Sequence, residues 1–524
     1  MPPSGPPRRL PALALVLVLA ALLRLSALER VPLGFFSDEA AVALEARSLA
    51  ETGRDLHGRP WPFFLRALDD WKAPAFIYGV AGWSRVAGDD VRAARAFAAV
   101  CGLFSILGAW LLAREVLGPG PGPLLVAGLL AVSPWHLQFS RIAWQAITLV
   151  LLHTWAVALL LRGTRRSSSA ALCAGAALLG LVLWTYSPAR LWVPLLGLAF
   201  LGATVGTLRR WPWSPRASAL ALLCFALAAA PFALAAARYA PELALRFRSE
   251  SLFAQGGGPL DVLAAWAAHL SPGFLFLQGD PIPRHSPPGV GQMLLAEAPL
   301  LLLGLVGLWR DRTPAARLVL LWLLLAPLLG ALTRDAPHAT RTIALLPALQ
   351  LAVARGVLLV VRAAGPRARL VNAALAAVLA LSAGHATWLH FTSPARIDPA
   401  WWRPGLTRVV ETAAALAARA APPARVHFLP GTRVTHVDWL YVTRYPLAQV
   451  HAHAQALAAG RERYDPLDTA GRFEFSGASF HYGPRPIVLR PGELVVGGPA
   501  DAPLPGAPLE LLHEDGAARY WRVR

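Results

Sequence analysis

The residues best suited to chemistry lie in one polar stretch near the N-terminal end. Ser37-Asp38-Glu39 opens it, and Asp69-Asp70-Trp71-Lys72-Ala73-Pro74 follows further along. A carboxylate can take a proton from a hydroxyl or orient one, and an ammonium offers an anion a compact point charge. Lys72 is the only lysine among 49 Lys and Arg residues. Arginine serves at ordinary solvated positions here, so a retained lysine marks a place where a guanidinium does not substitute. The acids also have a plain structural use. With Ser37 as N-cap they would fill the first turn of a helix over 40–51, where acids are worth about 0.3–1 kcal/mol against the helix dipole.

What must position these residues is a membrane body. Of 524 residues, 56% are hydrophobic and 15% charged, with a mean hydropathy of +0.48; soluble domains have about 45–50% and 25%. Apolar runs recur through the first three quarters of the chain, and the length needed to cross a bilayer predicts about eleven spans. They fall near 10–28, 92–113, 121–134, 144–161, 170–186, 189–207, 217–237, 292–309, 315–332, 342–361 and 370–389. No small-residue cleavage site follows the first, which reads as an uncleaved span. Arg8/Arg9, Arg114, Arg162/Arg165/Arg166, Arg209/Arg210/Arg216, Arg310/Arg312/Arg317 and Arg362/Arg367/Arg369 occupy alternate loops, which the positive-inside rule assigns to the cytoplasm.

The other connections then face outward: a long loop at 29–91, short turns near 135–143, 187–190 and 333–341, a second long loop at 238–291, and the C-terminal portion. That portion, 391–524, is long enough for a small extracytoplasmic α/β domain. It carries an amphipathic helix near 404–420, a strand at Arg425–Leu429, apolar pieces at Ile487–Leu489 and Leu494–Val496, and a closing hairpin from Leu509–His513 and Ala518–Val523. The expected fold is a mainly α-helical polytopic membrane protein, with a transmembrane domain over 1–390 and the α/β domain over 391–524.

Three arginines break the charge rule. Arg141, Arg190 and Arg341 sit in outward turns, where basic residues are disfavoured. Any one could snorkel to headgroups. Three of them, together with Lys72 and on the face that carries Asp38 and Glu39, point to an anionic group held at the outer interface, and guanidinium forks suit a phosphate. Tyr186 stands close enough to Arg190 for its hydroxyl to join them. Trp135, Trp144, Trp184, Trp192 and Trp388 read as interfacial residues, and Arg355 as a snorkelling one. His136, His153, His338 and Glu297 lack tight ligand spacing, so no metal is assigned. Cys101, Cys173 and Cys224 read as packing residues. Basic residues punctuate apolar runs instead of interleaving with aromatics, which argues against nucleic acid as a partner.

Taken in order, Asp38-Glu39, the Lys72-Ala73-Pro74 segment, and Pro337-His338-Ala339-Thr340-Arg341 before the tenth span resemble the membrane glycosyltransferases of the GT-C fold, glycosyltransferase family 39, the protein O-mannosyltransferase and aminoarabinose transferase group. As architecture the resemblance covers nearly all of 10–390. It implies transfer of a sugar, with inversion, from a polyprenyl-phosphate donor to a glycan, lipid or protein acceptor on the outer side of the inner membrane, among membrane lipids. It implies Asp38 as general base and Glu39 as a residue that positions the acceptor or tunes Asp38. Lys72 and Arg341 would stabilise the departing phosphate, with Arg141, Arg190, Tyr186, His338 and Asp70 as further substrate-binding residues. Single displacement needs no enzyme nucleophile. Two departures stand out: Trp71 replaces an acid that aminoarabinose relatives have before the lysine, and one proline follows Lys72 where relatives have two. No cofactor is assigned, and a divalent cation is left open. The competing reading is a multi-span flippase or transporter of lipid-linked or anionic substrates. Inverted repeats with broken helices at mid-depth would mark one, and no such repeat is found.

Overall fold

The computed structural model describes residues 9–67, 70–208, 212–396, 398, 401–420, 424–458, 472–475, 478–481, 489–501, 504 and 507–524. Asp69, Arg8, Arg209, Arg210 and residues 487–488 lie outside them. The apolar runs become helices with chemically marked starts. Ser133, Ser214 and Thr313 each precede a proline, and each side-chain oxygen accepts a backbone N–H, from His136, Ala217 and Ala316 in turn. The pair caps the helix and puts proline where its missing N–H costs nothing.

Among the described residues, seven helical stretches are long and apolar enough to cross a membrane: Val91–Leu117, Ala146–Arg166, Pro215–Arg238, Pro259–Leu277, Pro314–Ala331, Ala339–Ala363 and Gly365–Thr392. Shorter apolar helices cover Leu10–Leu25, Gly122–Val132, Ser169–Val182 and Ala189–Val205. This is an integral membrane protein. One expectation changes. The segment 238–291, read as a long loop, is largely helical: Ala240–Glu250 and Pro259–Ala268 are α-helices, and Gly273–Leu277 is a π-helical turn. Ser271-Pro272-Gly273 breaks its apolar run and hides it from a search for one continuous span. The helix expected near 292–309 begins only at Glu297 and ends at Asp311.

The described chain forms two compact units. The first comprises Met1–Leu28, Lys72–Phe76 and Arg95–Arg396. Glycines set its helix contacts: a Cβ on Gly304 would overlap the Ala352 carbonyl, and one on Gly356 the Leu300 carbonyl. The helices Glu297–Asp311 and Leu346–Ala363 thus approach backbone to backbone, the close contact small residues permit in membranes. Gly163 and Gly175 do the same for Ala146–Arg166 and Ser169–Val182.

The second unit comprises Glu29–Trp71, Ile77–Ala94 and Ile397–Arg524. A hairpin of β1 (Leu65–Ala67) and β2 (Asp70–Lys72) lies in the polar stretch. A six-stranded sheet is built from β3 (Val426–Phe428), β4 (Arg472–Phe475), β5 (Ala478–His481), β6 (Leu494–Gly497), β7 (Leu509–Glu514) and β8 (Arg519–Val523), in the order β4-β5-β3-β6-β8-β7. β3 runs parallel to both neighbours, and β7 with β8 makes the expected closing hairpin. The amphipathic stretch near 404–420 is the helix Leu406–Ala418. Helix Ser37–Thr52 of the polar stretch buries Ala40, Ala41, Ala43 and Leu44 in one core with Val410, Phe428, Phe480 and Tyr520. The N-terminal polar stretch and the C-terminal portion therefore share a hydrophobic interior, and the units do not divide at a single point in the chain.

Candidate functional site

In the second unit, Asp38 and Glu39 occupy the first turn of helix Ser37–Thr52, where a carboxylate gains from the helix dipole. Glu39 is buried and Asp38 half-buried. Ser37 is not the cap it was expected to be. Phe36 takes the N-cap position in extended conformation with no side-chain cap bond. The Ser37 hydroxyl instead donates to Asp438 at 3.4 Å and accepts from Arg403 at 2.9 Å. Asp438 is itself gripped by Arg403 Nη1 and Nη2 at 2.8 and 3.1 Å and by the Thr435 capping box. The competing partners, brought from the C-terminal portion by the fold, took the hydroxyl. At the other end Gly53 closes the helix with φ +68°, and its N–H donates to the Leu49 carbonyl.

The chain after this helix is pinned by two buried acids. Glu45 accepts the Leu56 N–H at 3.1 Å, and Asp55 accepts the N–H groups of His57 and Arg59 and the Arg59 guanidinium. Arg59 also lies over the Trp71 ring at 5.0 Å. Burial pushes the His57 imidazole down to about 4 against the opposing pull of Asp55. Asp70 stands in β2, and Lys72, which ends that strand and belongs to the first unit, has its side chain buried.

In the first unit, the turn that carries His338 and Arg341 meets residues from the helical segment 240–291. Asp280 Oδ1 accepts the Ile282 N–H at 2.8 Å; Oδ2 accepts the Ala339 N–H at 2.6 Å and His285 Nδ1–H at 3.0 Å. The His338 N–H donates to His269 Nε2 at 2.9 Å, and His269 Nδ1 donates to the Ala265 carbonyl at 2.7 Å. His338 and His285 have ring centroids 4.7 Å apart, and His338 Nδ1 is buried with no hydrogen-bond partner among the described residues. Asp280, His285 and His338 each offer one ligand atom, all within 4.8 Å of one another. Burial holds both imidazoles below the usual histidine range, for His285 against the pull of Asp280. They are neutral near pH 7 with lone pairs to give. One carboxylate and two imidazoles are a donor set for a divalent cation. Sequence spacing hid this set, because His338 is far along the chain from Asp280-Pro281-Ile282-Pro283-Arg284-His285.

Both terminal nitrogens of Arg341 are engaged. Its Nη2 donates to Glu250 at 2.6 Å, and its Nη1 donates to Thr333 Oγ1 at 2.7 Å and the Arg334 carbonyl at 2.5 Å. Arg334 also reaches both Glu250 oxygens at 3.3 Å. Glu250 was not among the expected site residues; it ends a helix that sequence reading took for loop.

Of the remaining expected residues, Trp135 touches this turn, its Nε1 donating to the Ala339 carbonyl at 3.2 Å, and the others make different contacts. Arg141 is buried and donates to the carbonyls of Leu23, Arg24 and Ala27 at the C-terminal end of the first helix, with its guanidinium 4.6 Å from the Phe391 ring centroid. Arg24 does the same for Leu130 and Ala131 at the end of helix Gly122–Val132 and also pairs with His136 Nδ1 at 2.7 Å. Arg190 is half-buried, 6.0 Å from the Phe232 ring centroid, and Tyr186 is half-buried beside it in sequence. Arg355, read as snorkelling, makes a two-point ion pair with Asp311 at 2.8 and 2.6 Å. Trp135 and Trp192, read as interfacial, are buried; Trp388 is exposed.

Superposed over nearly its full length, the chain matches the crystal structure of ArnT from Cupriavidus metallidurans in the apo state. The TM-score is 0.62 at 15% sequence identity, covering 98% of this chain and 97% of that one. The chain has the GT-C fold of ArnT. The same GT-C protein bound to undecaprenyl phosphate matches with a TM-score of 0.56 at 16% identity and the same coverage. The Archaeoglobus fulgidus oligosaccharyltransferase in complex with Zn and sulfate matches with 0.52 at 14% identity, covering 82% of this chain and 61% of that one. Residues 71–231 match the family model for dolichyl-phosphate-mannose-protein mannosyltransferase, a segment that contains Lys72, Arg141, Tyr186 and Arg190. The resemblance to GT-C membrane glycosyltransferases read from the sequence is borne out by this fold and this match. No curated protein matches the chain.

Proposed function

We propose that this protein is an inner-membrane glycosyltransferase that moves a sugar from a polyprenyl-phosphate donor to an acceptor hydroxyl on the extracytoplasmic side. The observation that carries the reading is the match, at almost full length in both chains, to a structure solved with undecaprenyl phosphate. In this reading Asp38 takes the proton of the acceptor O–H as its oxygen attacks the anomeric carbon from the face opposite the phosphate. The carbon–oxygen bond to the phosphate breaks, its electron pair leaves on the phosphate, and configuration inverts. Glu39, one residue on, positions the acceptor or tunes Asp38.

A departing phosphate needs charge more than it needs a proton. Lys72 and Arg341 supply that charge, and fixed positive groups aimed where negative charge grows usually lower such a barrier more than any other device. Arg341 already holds a carboxylate, that of Glu250, so the donor phosphate takes the place of an internal anion. Arg190 and Tyr186 assist at the headgroup, His338 and Asp70 at the substrate. Arg141, spent on helix carbonyls, contributes through its field. A divalent cation held by Asp280, His285 and His338 would add fixed positive charge. The unmatched Nδ1 of His338 supports such an occupant.

The test is sugar transfer in reconstituted membranes. Lys72→Ala and Arg341→Ala are expected to weaken use of the lipid donor about tenfold or more, while normal abundance excludes a folding cause. Transfer by both variants at the parental rate and donor affinity would refute the assignment of the phosphate site.

A further inference from the structure

The second unit carries a cavity that the transfer reaction above does not use. It encloses about 290 Å³ and is lined by Phe35 and Arg47 from the polar stretch, Asp89, and Thr407, Glu411, Tyr441, Val442 and Arg444 from the C-terminal portion. Several lining groups have bonding capacity left over. Arg47 is 6% exposed, yet among the described residues its guanidinium makes one hydrogen bond, from Nη2 to the Tyr445 carbonyl at 3.3 Å. Tyr441 Oη accepts the Val91 N–H at 2.9 Å, which leaves its own proton to donate. The Glu411 carboxylate and the Thr407 hydroxyl, both exposed on helix Leu406–Ala418, have no hydrogen-bond partner among the described residues. Arg444 and Asp89 close one side as a two-point ion pair at 2.7 and 3.1 Å.

The chemistry of the wall narrows the ligand. Two guanidinium groups face two carboxylates, so neither a phosphate nor a cation finds an excess of opposite charge. The wall offers donors in Arg47 and Tyr441 and acceptors in Glu411 and Thr407, and Phe35 with Tyr441, in edge contact at 5.3 Å, supplies an apolar side. The volume lies near the lower end for small-molecule sites. We propose that this cavity binds a single neutral sugar ring, with Arg47 and Tyr441 donating to ring hydroxyls, Glu411 accepting from them, and the aromatic pair packing against C–H groups. Burial disfavours the charged form of Arg47, and Asp89 is one of the carboxylates that restore it; hydroxyl acceptors would add to that support. The proposal does not depend on the donor chemistry above.

The experiment is saturation-transfer NMR and calorimetric titration of the full chain in nanodiscs with methyl α-D-glucopyranoside, beside glucosamine and glucose 6-phosphate. Saturable binding of the neutral glycoside is expected, weakened about tenfold by Glu411→Gln and also by Thr407→Val, with both charged sugars binding no more tightly. Both substituted side chains are exposed, so folding is not at stake. Absence of saturable binding, unchanged binding in both variants, or a preference for either charged sugar would overturn the assignment.

Discussion

Two of the three arginines expected to break the charge rule, Arg141 and Arg341, have reasons visible one residue at a time. Arg141 and Arg24 satisfy carbonyls at helix C-termini, where backbone acceptors have no partner in the helix and a cation meets the negative end of the dipole. Arg141→Ala should therefore lower stability in detergent by roughly 2–4 kcal/mol, read as a drop in melting temperature, before any change in donor affinity. Arg341 is different, because its partner is an acid. Glu250→Gln removes the competing charge while keeping the shape, and binding of undecaprenyl phosphate is expected to tighten about tenfold; weaker binding would make Glu250 a residue that positions Arg341. Asp38, Glu39, Lys72, His338 and Arg341 were singled out as candidates by residue type and order. Asp280, His285 and Glu250 were not, because their meaning depends on which distant turn they face.

Elements were read well where one run of one period sufficed and poorly where a break intervened. The spans at 92–113, 144–161 and 217–237 correspond to helices Val91–Leu117, Ala146–Arg166 and Pro215–Arg238, since length and apolarity decide them. Pro259–Leu277 was missed because Ser271-Pro272-Gly273 interrupts it. Helix-to-helix contacts at glycines carry no sequence period at all. Gly304→Leu, which drives a side chain into the Ala352 carbonyl, should abolish folded yield, whereas Gly128→Leu, in open space, should leave it intact; fluorescence-detected size-exclusion chromatography distinguishes them. Helix His436–Val442 and the loop after Ser37–Thr52 predict a pH effect. Burial pushes His436 and His57 down to about 4, whereas an unfolded histidine titrates near 6.5. The unfolded chain therefore binds more protons between those values, and stability present above about pH 6.5 is lost as pH falls toward 4. Melting temperature should drop from pH 7 to pH 5, and His436→Gln should reduce that slope.

For the molecule as a whole, the sequence split at 390 into body and appendage, while the structure gathers the polar stretch around Asp38 with the C-terminal sheet. The apolar face of Ser37–Thr52 is mostly alanine, too weak a stripe to announce a partner more than three hundred residues away. One consequence is sidedness: reporter fusions within 29–91 and after 397 must label the same face of the membrane, because the two stretches share one core. The function proposed for this GT-C body is sugar transfer from a lipid phosphate with Asp38 as the base. Purified protein in proteoliposomes, given radiolabelled polyprenyl-phosphate sugars, puts both halves of that statement to trial. One donor should be consumed by the parent protein, and Asp38→Asn, equally abundant, should consume it at least about a hundredfold more slowly. Equal consumption by Asp38→Asn, or none by the parent with any donor, would contradict it.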